Sequence, residues 1–407
     1  MVSLTYKPET NPSNRPVISS HNLPTGNNVN QSVRDAIKER VFPDYPWIQE
    51  FLTYLTGCPY SEQQPLLYLK PVDYIVGYSL AFVTGISITI VAMSQTLWYP
   101  LILLGWLLTT GGTSGMQLGL IHNAAHLKVL RSKKADTWLA RILGVIILMP
   151  DADTYTKGHR KHHNRKTHQT SEDNTIKTLF GELGFKPGMP VNFYWRKLIK
   201  LVNPLFIGKY ILTVRFNKCF LNTTSLTSKL FAWAVWTVVV TVITLTHSWM
   251  AFAIAYGVPV LIFYTVIHFV RLTVEHKALP VEMMKLRDKR YEALCTDAVF
   301  VGELPPSSNL SGFDKIFAWS GWWFRLFFWH GIIRWLIVPA DIVVHDYHTR
   351  MAGSPREYWE MAIWERQKQQ ENGCPGWPTL YTSQWGFINA MNTVFNSFSQ
   401  LPKDYQF

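Results

Sequence analysis

Residues 74–127 read YIVGYSLAFVTGISITIVAMSQTLWYPLILLGWLLTTGGTSGMQLGLIHNAAHL and contain no Asp, Glu, Lys or Arg in 54 positions. A second uncharged stretch covers the 41 residues 230–270. A membrane-spanning helix needs about 20 apolar residues, so each stretch is long enough for two spans joined by a short turn. Uncharged runs of this length argue against buried helices of a soluble protein. We predict four spans in two hairpins, at 74–92, 97–120, 230–246 and 249–270.

The composition of the 407-residue chain agrees with a membrane protein. Hydrophobic residues make up 48% of the chain and charged residues only 16%, against about 25% charged residues in typical soluble proteins. The aromatic content of 14% suits a protein at the membrane interface. Four widely spaced cysteines without a C-x-x-C pair indicate neither a thiolate zinc site nor a disulfide framework. The polar first 45 residues do not resemble a signal peptide.

The positive charge of the chain lies between the two predicted hairpins. Residues 128–229 carry 19 Lys and Arg against 6 Asp and Glu, a balance of +13, whereas the whole chain has a net charge of +12. Basic loops stay on the cytoplasmic side of membrane proteins. We therefore predict an integral membrane protein with this segment and both termini in the cytoplasm. The lipid bilayer explains the basic balance, and nucleic acid is not an expected partner.

Two further apolar stretches make poor spans. Residues 138–150 are too few, and 317–340 include Arg325, His330 and Arg334, which are costly at the membrane centre. We predict that both are interfacial helices, with a fifth span as the alternative for 317–340. The resulting fold class is an all-α polytopic membrane protein with a cytoplasmic histidine-rich cap. Its predicted divisions are a disordered polar tail (1–45), the membrane domain (46–350) and a cytoplasmic C-terminal segment (351–407).

The histidines are grouped rather than scattered. Of the 13 in the chain, eight fall into tight groups: His122 and His126; His159, His162 and His163; His276; His345 and His348. Offsets of three and four residues place side chains on one face of a helix. Neutral imidazole is a ligand for iron, zinc or copper. Eight imidazoles exceed the capacity of one octahedral ion, so the grouping predicts two metal ions.

The predicted topology brings these histidines together. The ends of the second and fourth spans and the long basic segment all lie on the cytoplasmic side, so all eight imidazoles share one face of the membrane. A zinc hydrolase would need H-E-x-x-H, with a glutamate as general base. This chain has Asn123 at that position in His122-Asn-Ala-Ala-His126. The zinc-hydrolase interpretation is therefore weak.

The order and spacing of these groups resemble the histidine boxes of the membrane fatty acid desaturases and related membrane hydroxylases. The match covers about residues 74–350. His122 to His126 is similar to the first box, His159 to His163 to the second, and His345-Asp-Tyr-His348-Thr349 to the third. Arg271-Leu-Thr-Val-Glu-His276 resembles the segment that supplies one further histidine.

The resemblance implies a diiron centre, with two Fe ions held by the eight grouped histidines, that activates dioxygen and removes hydrogen from an unactivated C–H bond. Glu275, Asn123 and Thr349 are candidates for supporting these ligands, and we expect Glu275 to orient a ligand rather than bind metal. The sequence contains no His-Pro-Gly-Gly haem motif. Electrons are therefore expected from a soluble electron-transfer protein such as a ferredoxin.

Two positions depart from the family pattern. Thr349 stands where the closing box usually has a second adjacent histidine, and Leu272 replaces an asparagine of some relatives. A water molecule is our first expectation for the missing ligand, with Glu275, His168 or His330 as alternatives. His268, inside the predicted fourth span, either has a functional role or makes a hydrogen bond to a neighbouring helix.

The expected reaction is the introduction of a double bond into an acyl chain carried on a lipid, on coenzyme A or on a carrier protein. Two alternatives remain open at the level of sequence. One is a diiron membrane hydroxylase acting on a lipid or another hydrophobic substrate. The other is a degenerate relative without catalytic activity, which the threonine at position 349 suggests.

Overall fold

The computed structural model describes residues 27–355 and 357–407, and this part of the chain is mostly helical. The α-helices follow in chain order as α1 (Asn27–Arg40), α2 (Pro46–Thr56), α3 (Pro71–Ala92), α4 (Pro100–Ser114), α5 (His122–Ala125), α6 (Lys133–Ile146), α7 (Ala152–His163), α8 (Asn174–Ile176), α9 (Val191–Lys197), α10 (Pro204–Tyr210), α11 (Leu226–Leu245), α12 (Trp249–Phe252), α13 (Tyr264–Leu272), α14 (Val281–Leu286), α15 (Lys289–Leu294), α16 (Gly312–Arg325), α17 (Ile332–Leu336), α18 (His345–Met351), α19 (Ala362–Glu371) and α20 (Phe387–Ser399). Stretches with the wider π-helical turn are Gly115–Ile121, Lys177–Glu182, Ile211–Leu221, Ala253–Phe263 and Leu326–Gly331. Tight 3₁₀ turns are Thr96–Trp98, Leu198–Val202, Ala340–Val344 and Trp359–Met361. The short strands β1 (Ala298–Phe300) and β2 (Ser383–Trp385) pair in parallel, with Ala298 opposite Ser383.

Three helical runs are long and apolar enough to cross a membrane: Pro71–Ala92, Leu226–Leu245 and Trp249–Leu272. They match the spans predicted at 74–92, 230–246 and 249–270. The predicted span at 97–120 lies in the continuous helical run from α4 to α5, but it is not one of the three. Its second half is rich in Thr, Ser and Gly, which lowers its hydropathy. A total of four spans therefore stays a prediction.

The run from α4 to α5 divides into two halves by burial. Its first half exposes Leu101, Leu103 and Leu104, as a lipid-facing helix would. From Thr109 to Ala125, every residue is buried. This helix therefore carries His122 from the apolar exterior into the interior of the protein.

Helices α3 and α4 pack closely through glycine. A Cβ atom added at Gly85 would lie 2.5 Å from the carbonyl oxygen of Gly105 and 2.5 Å from the backbone nitrogen of Thr109. Such close approach of two backbones is typical of membrane helix pairs with small residues at the contact. The first predicted hairpin is thus held by direct backbone packing.

The two predicted interfacial helices are helical and expose apolar side chains. Residues 138–150 overlap α6, which exposes Trp138 and Ile142. Residues 317–340 overlap the helical run Gly312–Leu336, which exposes Phe317, Phe324 and Phe328. This run and Ala340–Met351 are long and apolar enough together to count as one further span, but they are bent by 101° at their junction. Their location at the membrane surface stays a prediction.

The N-terminal region differs from the disordered tail predicted for residues 1–45. Residues 27–40 form α1, and its Val33 and Ile37 are buried against Trp322 and Leu326. Arg34 is buried as well and donates hydrogen bonds to the carbonyl oxygen of Cys58 and to the side chain and carbonyl of Gln49. A few spaced apolar residues are enough to anchor one face of a helix. A segment that is polar on average can therefore still form a packed helix. Residues 1–26 lie outside the described part of the chain.

The C-terminal region is part of the same core as the preceding residues. Phe387, Phe395 and Phe398 of α20 share a buried cluster with Phe269, at the end of the last predicted span, and with residues around it. Strand β2 also pairs with β1. The predicted division at residue 350 therefore does not correspond to a boundary in packing.

Candidate metal centre

The eight grouped histidines come from separate helices and converge on one place. His122 and His126 lie at the end of the α4–α5 run, and His159, His162 and His163 lie in the last turns of α7. The side chain of Asp151 caps the start of α7 by accepting hydrogen bonds from the backbone N–H groups of Asp153 and Thr154. The remaining ligand candidates are His276, which follows α13, and His345 and His348 on α18.

Five of these histidines form the first metal group: His122, His126, His159, His163 and His348. One ring nitrogen from each lies within 4.8 Å of the others. The Nε2 atoms of His122 and His348 are 2.8 Å apart, and those of His126 and His159 are 2.7 Å apart. Nitrogens bound at right angles to a metal about 2.1 Å away are separated by about 3 Å. The spacing therefore fits imidazoles around a single ion.

The second metal group consists of His162, His276, His345 and Glu275. The Nε2 atoms of His162 and His276 are 2.9 Å apart. Glu275 Oε1 lies 3.6 Å from Nε2 of both His162 and His345, and 4.0 Å from Nε2 of His276. All four residues are buried. The eight predicted ligands thus separate into groups of five and three, and a carboxylate joins the smaller group.

This position of Glu275 differs from the orienting role that the sequence suggested. The carboxylate faces the Nε2 atoms that would bind metal, not the outer Nδ1 atoms of the imidazoles. The same oxygen accepts a hydrogen bond of 2.6 Å from Arg271, one helical turn earlier in the chain. Glu275 therefore stands where a ligand would stand, and Arg271 holds it there.

Three buried partners fix the outer nitrogens of the ligand candidates. Nδ1 of His162 lies 2.9 Å from Asp173, and Nδ1 of His348 lies 2.7 Å from Glu357. Nδ1 of His276 lies 2.7 Å from the hydroxyl of Thr296. Such contacts set the tautomer and the ring orientation of metal-binding histidines. Sequence spacing does not predict the contacts of Glu357 and Thr296, because these residues lie 9 and 20 positions from the histidines they contact.

The other two candidates for supporting residues have different surroundings. The side-chain amide of Asn123 donates to the carboxylate oxygens of Asp341, at 3.1 and 3.2 Å. The hydroxyl of Thr349 donates to the carbonyl oxygen of His345 and lies 3.3 Å from the hydroxyl of Thr296. Asn123 therefore joins two buried segments, and Thr349 contacts the residue that holds His276.

His168 and His330, the histidines considered as alternatives for the missing ligand, differ in their distance from the centre. Nδ1 of His168 lies 2.7 Å from the hydroxyl of Tyr291, and a ring nitrogen of His168 can group with His276 and Cys295. His330 joins none of the metal-ligand groups found among the described residues. His268 lines two cavities beside the centre. Of the two histidines considered for the vacancy, only His168 is therefore nearby.

Burial and nearby charges shift the pKa values of the ligand candidates in different directions. Burial and neighbouring imidazoles lower the pKa of His159 and His163 well below the usual value, so both are neutral. Burial also opposes the charged form of His162, but Asp173 and Glu275 outweigh it and raise its pKa to about 10. Burial would raise the pKa of Glu275, yet Arg271 and His162 hold it well below its usual range. The carboxylate is thus ionised and able to bind a cation.

Two adjoining cavities lead to the metal groups. The smaller, about 100 Å³, is lined by His122, His159, His162 and Glu275. The larger, about 440 Å³, combines apolar residues such as Met149 with the basic side chains Lys177, Arg215 and Lys218. The cavities share wall residues, namely Gln117, Tyr155, Asn174, Thr178 and His268. The lining of the larger cavity also includes the carboxylate of Glu182, so apolar, basic and acidic side chains meet there.

The donor set fits two transition-metal ions. The buried Nε2 atoms of His163 and His345 find no hydrogen-bond partner in the described part of the chain, which is a costly state unless a metal binds them. Five imidazoles in one group exceed the four ligands of a structural zinc site. Imidazole with an added carboxylate is a set that suits iron. The residues present therefore fit a pair of iron ions.

Comparison with known proteins gives one match. A family model described as fatty acid desaturase matches residues 96–332, which is more than half of the chain. No curated protein and no solved structure matches the chain. The matched region includes six of the eight ligand candidates and ends before His345 and His348.

Proposed function

Because this chain belongs to the fatty acid desaturase family, we propose that it is a membrane oxidoreductase that introduces a double bond into an acyl chain. The observation that carries the proposal is the separation of eight imidazoles and one carboxylate into two adjacent groups, each suited to one metal ion. The membrane setting is supported by three helices able to span a bilayer.

Two iron ions would be held by the described residues. His122, His126, His159, His163 and His348 would hold the first, and His162, His276, His345 and Glu275 the second. When bound, such a pair supplies the dioxygen chemistry needed to remove hydrogen from an alkyl carbon, which side chains cannot do alone.

The side chains of the protein would position the substrate and exclude water. The path from the 440 Å³ cavity to His122 and His159 is lined partly by Tyr155 and Gln117. Its lysines, Lys177 and Lys218, would pair with the carboxylate or phosphate of an acyl lipid, acyl-CoA or acyl carrier. Holding the acyl chain in a fixed pose beside the metal groups makes attack at one carbon pair much more probable than in solution.

The reaction balances with an external reductant. One saturated carbon pair, one O₂, two electrons and two protons give one double bond and two molecules of water. If the chain were a hydroxylase, the same inputs would give one alcohol and one water. Both outcomes begin with hydrogen removal, and the family includes both types of enzyme. The electrons would come from a soluble electron-transfer protein such as a ferredoxin.

Expression in a host of defined lipid composition, followed by mass spectrometry of its acyl chains, tests the proposal. We expect chains that have lost two hydrogens, and we expect His162→Ala to abolish them. His247→Asn is the matched control, because His247 is exposed and outside both metal groups. Chains that gain one oxygen would indicate a hydroxylase. Unchanged acyl chains in a strain that contains the metal-loaded protein would contradict the proposal.

A further inference from the structure

A second opening reaches the metal centre. Its lining is mostly charged and polar, whereas the lining of the substrate path is partly apolar. A surface basin of about 630 Å³, which we name the basic basin, is lined by His163, Asn164, Arg165, Lys166, Lys285, Leu286, Arg287 and Glu292. None of these residues lines either cavity of the substrate path. The metal groups are therefore approached separately by a partly apolar route and by a polar one.

The basic basin has a strong excess of positive charge. Its lining contains four cationic side chains and one carboxylate. Among the described residues of the chain, one ion pair lies in the basin. It joins Arg165 and Glu292 at 3.5 Å, and because the Arg165 side chain is 49% exposed, solvent screens this pair strongly. Exposed Lys157 and Arg160 add positive charge on α7, where Lys161 is paired with Glu172 at 2.6 Å. A field of this kind attracts an anionic partner and speeds its association.

The two walls of the basin are tied together. Arg287 donates hydrogen bonds to the carbonyl oxygens of Arg165, at 3.1 Å, and of His168. These bonds connect the end of α14 to the loop that follows α7. The basin is therefore formed before any partner arrives, which lowers the entropic cost of binding.

His163 connects the basin to the metal centre. It belongs to the five-histidine group and is only partly buried, whereas His122, His159 and His348 of that group are buried. Its ring lines the basin while its Nε2 atom is buried among the other ligands. One side chain thus separates a partner in the basin from the first metal group. An electron would therefore pass from a partner in the basin to the first metal group across the side chain of His163.

The lining favours a protein over a membrane surface as the occupant. Leu286, which is 72% exposed, is the one aliphatic side chain among the eight lining residues. A membrane-binding surface would present several apolar side chains for insertion. A charged surface with a small apolar contact is typical of weak and short-lived electron-transfer complexes.

We propose that the basic basin is the docking surface for an acidic one-electron carrier protein. This inference rests on the function proposed above, because that reaction needs two external electrons in each turnover. Each docked carrier would give up one electron to the metal pair that these ligand candidates would hold, so two dockings would supply the two electrons of one turnover. Rim cations steer the carrier, and Leu286 and His163 contact it at the centre.

The test uses the full-length protein in detergent and an acidic [2Fe–2S] ferredoxin as the probe. We expect affinity to fall sharply between about 20 mM and about 500 mM salt, because salt screens exposed charges. Lys166→Glu with Lys285→Glu should weaken binding at low salt by at least about tenfold. Lys368→Glu with Lys403→Glu is the matched control, since both lysines are exposed and outside the basin. The control should stay within about twofold of wild type.

Metal content of both double variants reports whether they fold. Wild-type binding that is absent or insensitive to salt, or equal weakening by both double variants, would overturn the docking surface. Competition by coenzyme A, or loss of binding to anionic vesicles in the basin variant alone, would assign the basin to a different ligand. Acyl-chain turnover by the wild-type protein with dithionite as reductant tests the proposed function separately, because dithionite needs no docking surface.

Discussion

Glu275 and Thr349 are the two residues that bear on the histidine missing from the third histidine box. The hydroxyl of Thr349 is engaged with the carbonyl oxygen of His345, so it supports α18 instead of facing the metal position. Glu275 Oε1 lies 3.6 Å from Nε2 of His345. A carboxylate is a stronger ligand for iron than a hydroxyl. We infer that Glu275 supplies the ligand that position 349 lacks.

Glu275→Gln should therefore weaken the second metal group selectively. The amide keeps the shape and can still contact Arg271, but it is a much poorer ligand than a carboxylate. We expect the variant to bind one of its two ions at least about tenfold more weakly. Metal content after stepwise dialysis measures this, with Glu282→Gln as control because Glu282 is exposed on α14.

The same account predicts a rescue. Thr349→His places an imidazole one turn after His345, where the family pattern has its second adjacent histidine. In the Glu275→Gln background it should restore retention of the second ion. Equal retention of both ions by Glu275→Gln alone would show that the carboxylate is not a ligand and would leave water or His168 as the remaining explanations.

Metal uptake should release a proton from His162. Asp173 and Glu275 raise the pKa of this residue to about 10 against the opposing effect of burial, so without metal it is protonated at pH 8. Binding requires the neutral imidazole, whereas His159 and His163 are already neutral. Affinity should thus rise with pH up to about 10 and then level off. Calorimetric titration with Co²⁺ in buffers of different ionisation enthalpy measures the released proton.

The matched variant for this titration is Asp173→Asn. Removing the carboxylate takes away the main opposition to burial, so the pKa of His162 should fall and less proton should be released at pH 8. Absence of proton release from the wild type would show that His162 is neutral in the metal-free protein. Unchanged release in the variant would show that Asp173 does not hold this proton.

The sequence predicts eight histidines as ligand candidates, and the structure brings them close together, but the sequence does not predict their division into two groups. Offsets of three and four residues in α7 indicate a shared helix face, which the structure has. Neighbours in the chain nevertheless separate: His162 joins the second group and His163 the first. Glu357 was not predicted at all. It contacts His348 because the chain folds back after α18, and no local spacing indicates that fold. Pairwise spacing contains no such long-range information.

At the level of elements, the packing of α3 on α4 sets the position of the first two histidines. Gly85→Ala would force a Cβ to within 2.5 Å of backbone atoms of α4. We expect a loss of about 1–3 kcal/mol in stability, seen as a lower thermal midpoint in detergent. Gly77→Ala, in the same helix, is the control because nothing lies within 4 Å of its added Cβ. Equal midpoints for the two variants would contradict the close packing.

The elements differ in how far the sequence could predict them. The spans at 74–92, 230–246 and 249–270 were predictable because lipid contact requires long apolar runs. Helix α1 was not, since its burial depends on a contact with Trp322 and Leu326 far along the chain. The α4–α5 run shows a third case: its uncharged sequence fits a span, but its second half is buried in protein.

At the scale of the whole molecule, the basic segment 128–229 predicts the orientation in the membrane. Reporter fusions at residue 180, at residue 300 and at the C-terminus should all give cytoplasmic signals, because Lys and Arg are retained on that side. A periplasmic or lumenal signal at residue 180 would contradict the topology, and it would place the metal centre and the basic basin on the wrong side for a cytoplasmic electron carrier.

The arrangement of the whole molecule gives the centre two separate approaches, one for each of the two proposed reactants. The substrate path and the basic basin reach the metal groups through different residues. In the proposed reaction, an acyl chain would therefore stay bound while electron carriers bind and leave. Neither path was predictable from the sequence, because each combines residues from segments far apart in the chain.

The iron content of the purified protein tests the central claim most directly. After anaerobic loading with Fe²⁺ and removal of excess metal, elemental analysis against protein concentration should give close to two irons per chain. His163→Ala, which removes a ligand of the first group, should give a clearly lower value. One zinc per chain without iron, or at most one iron in the wild-type protein, would contradict a centre built from two metal groups.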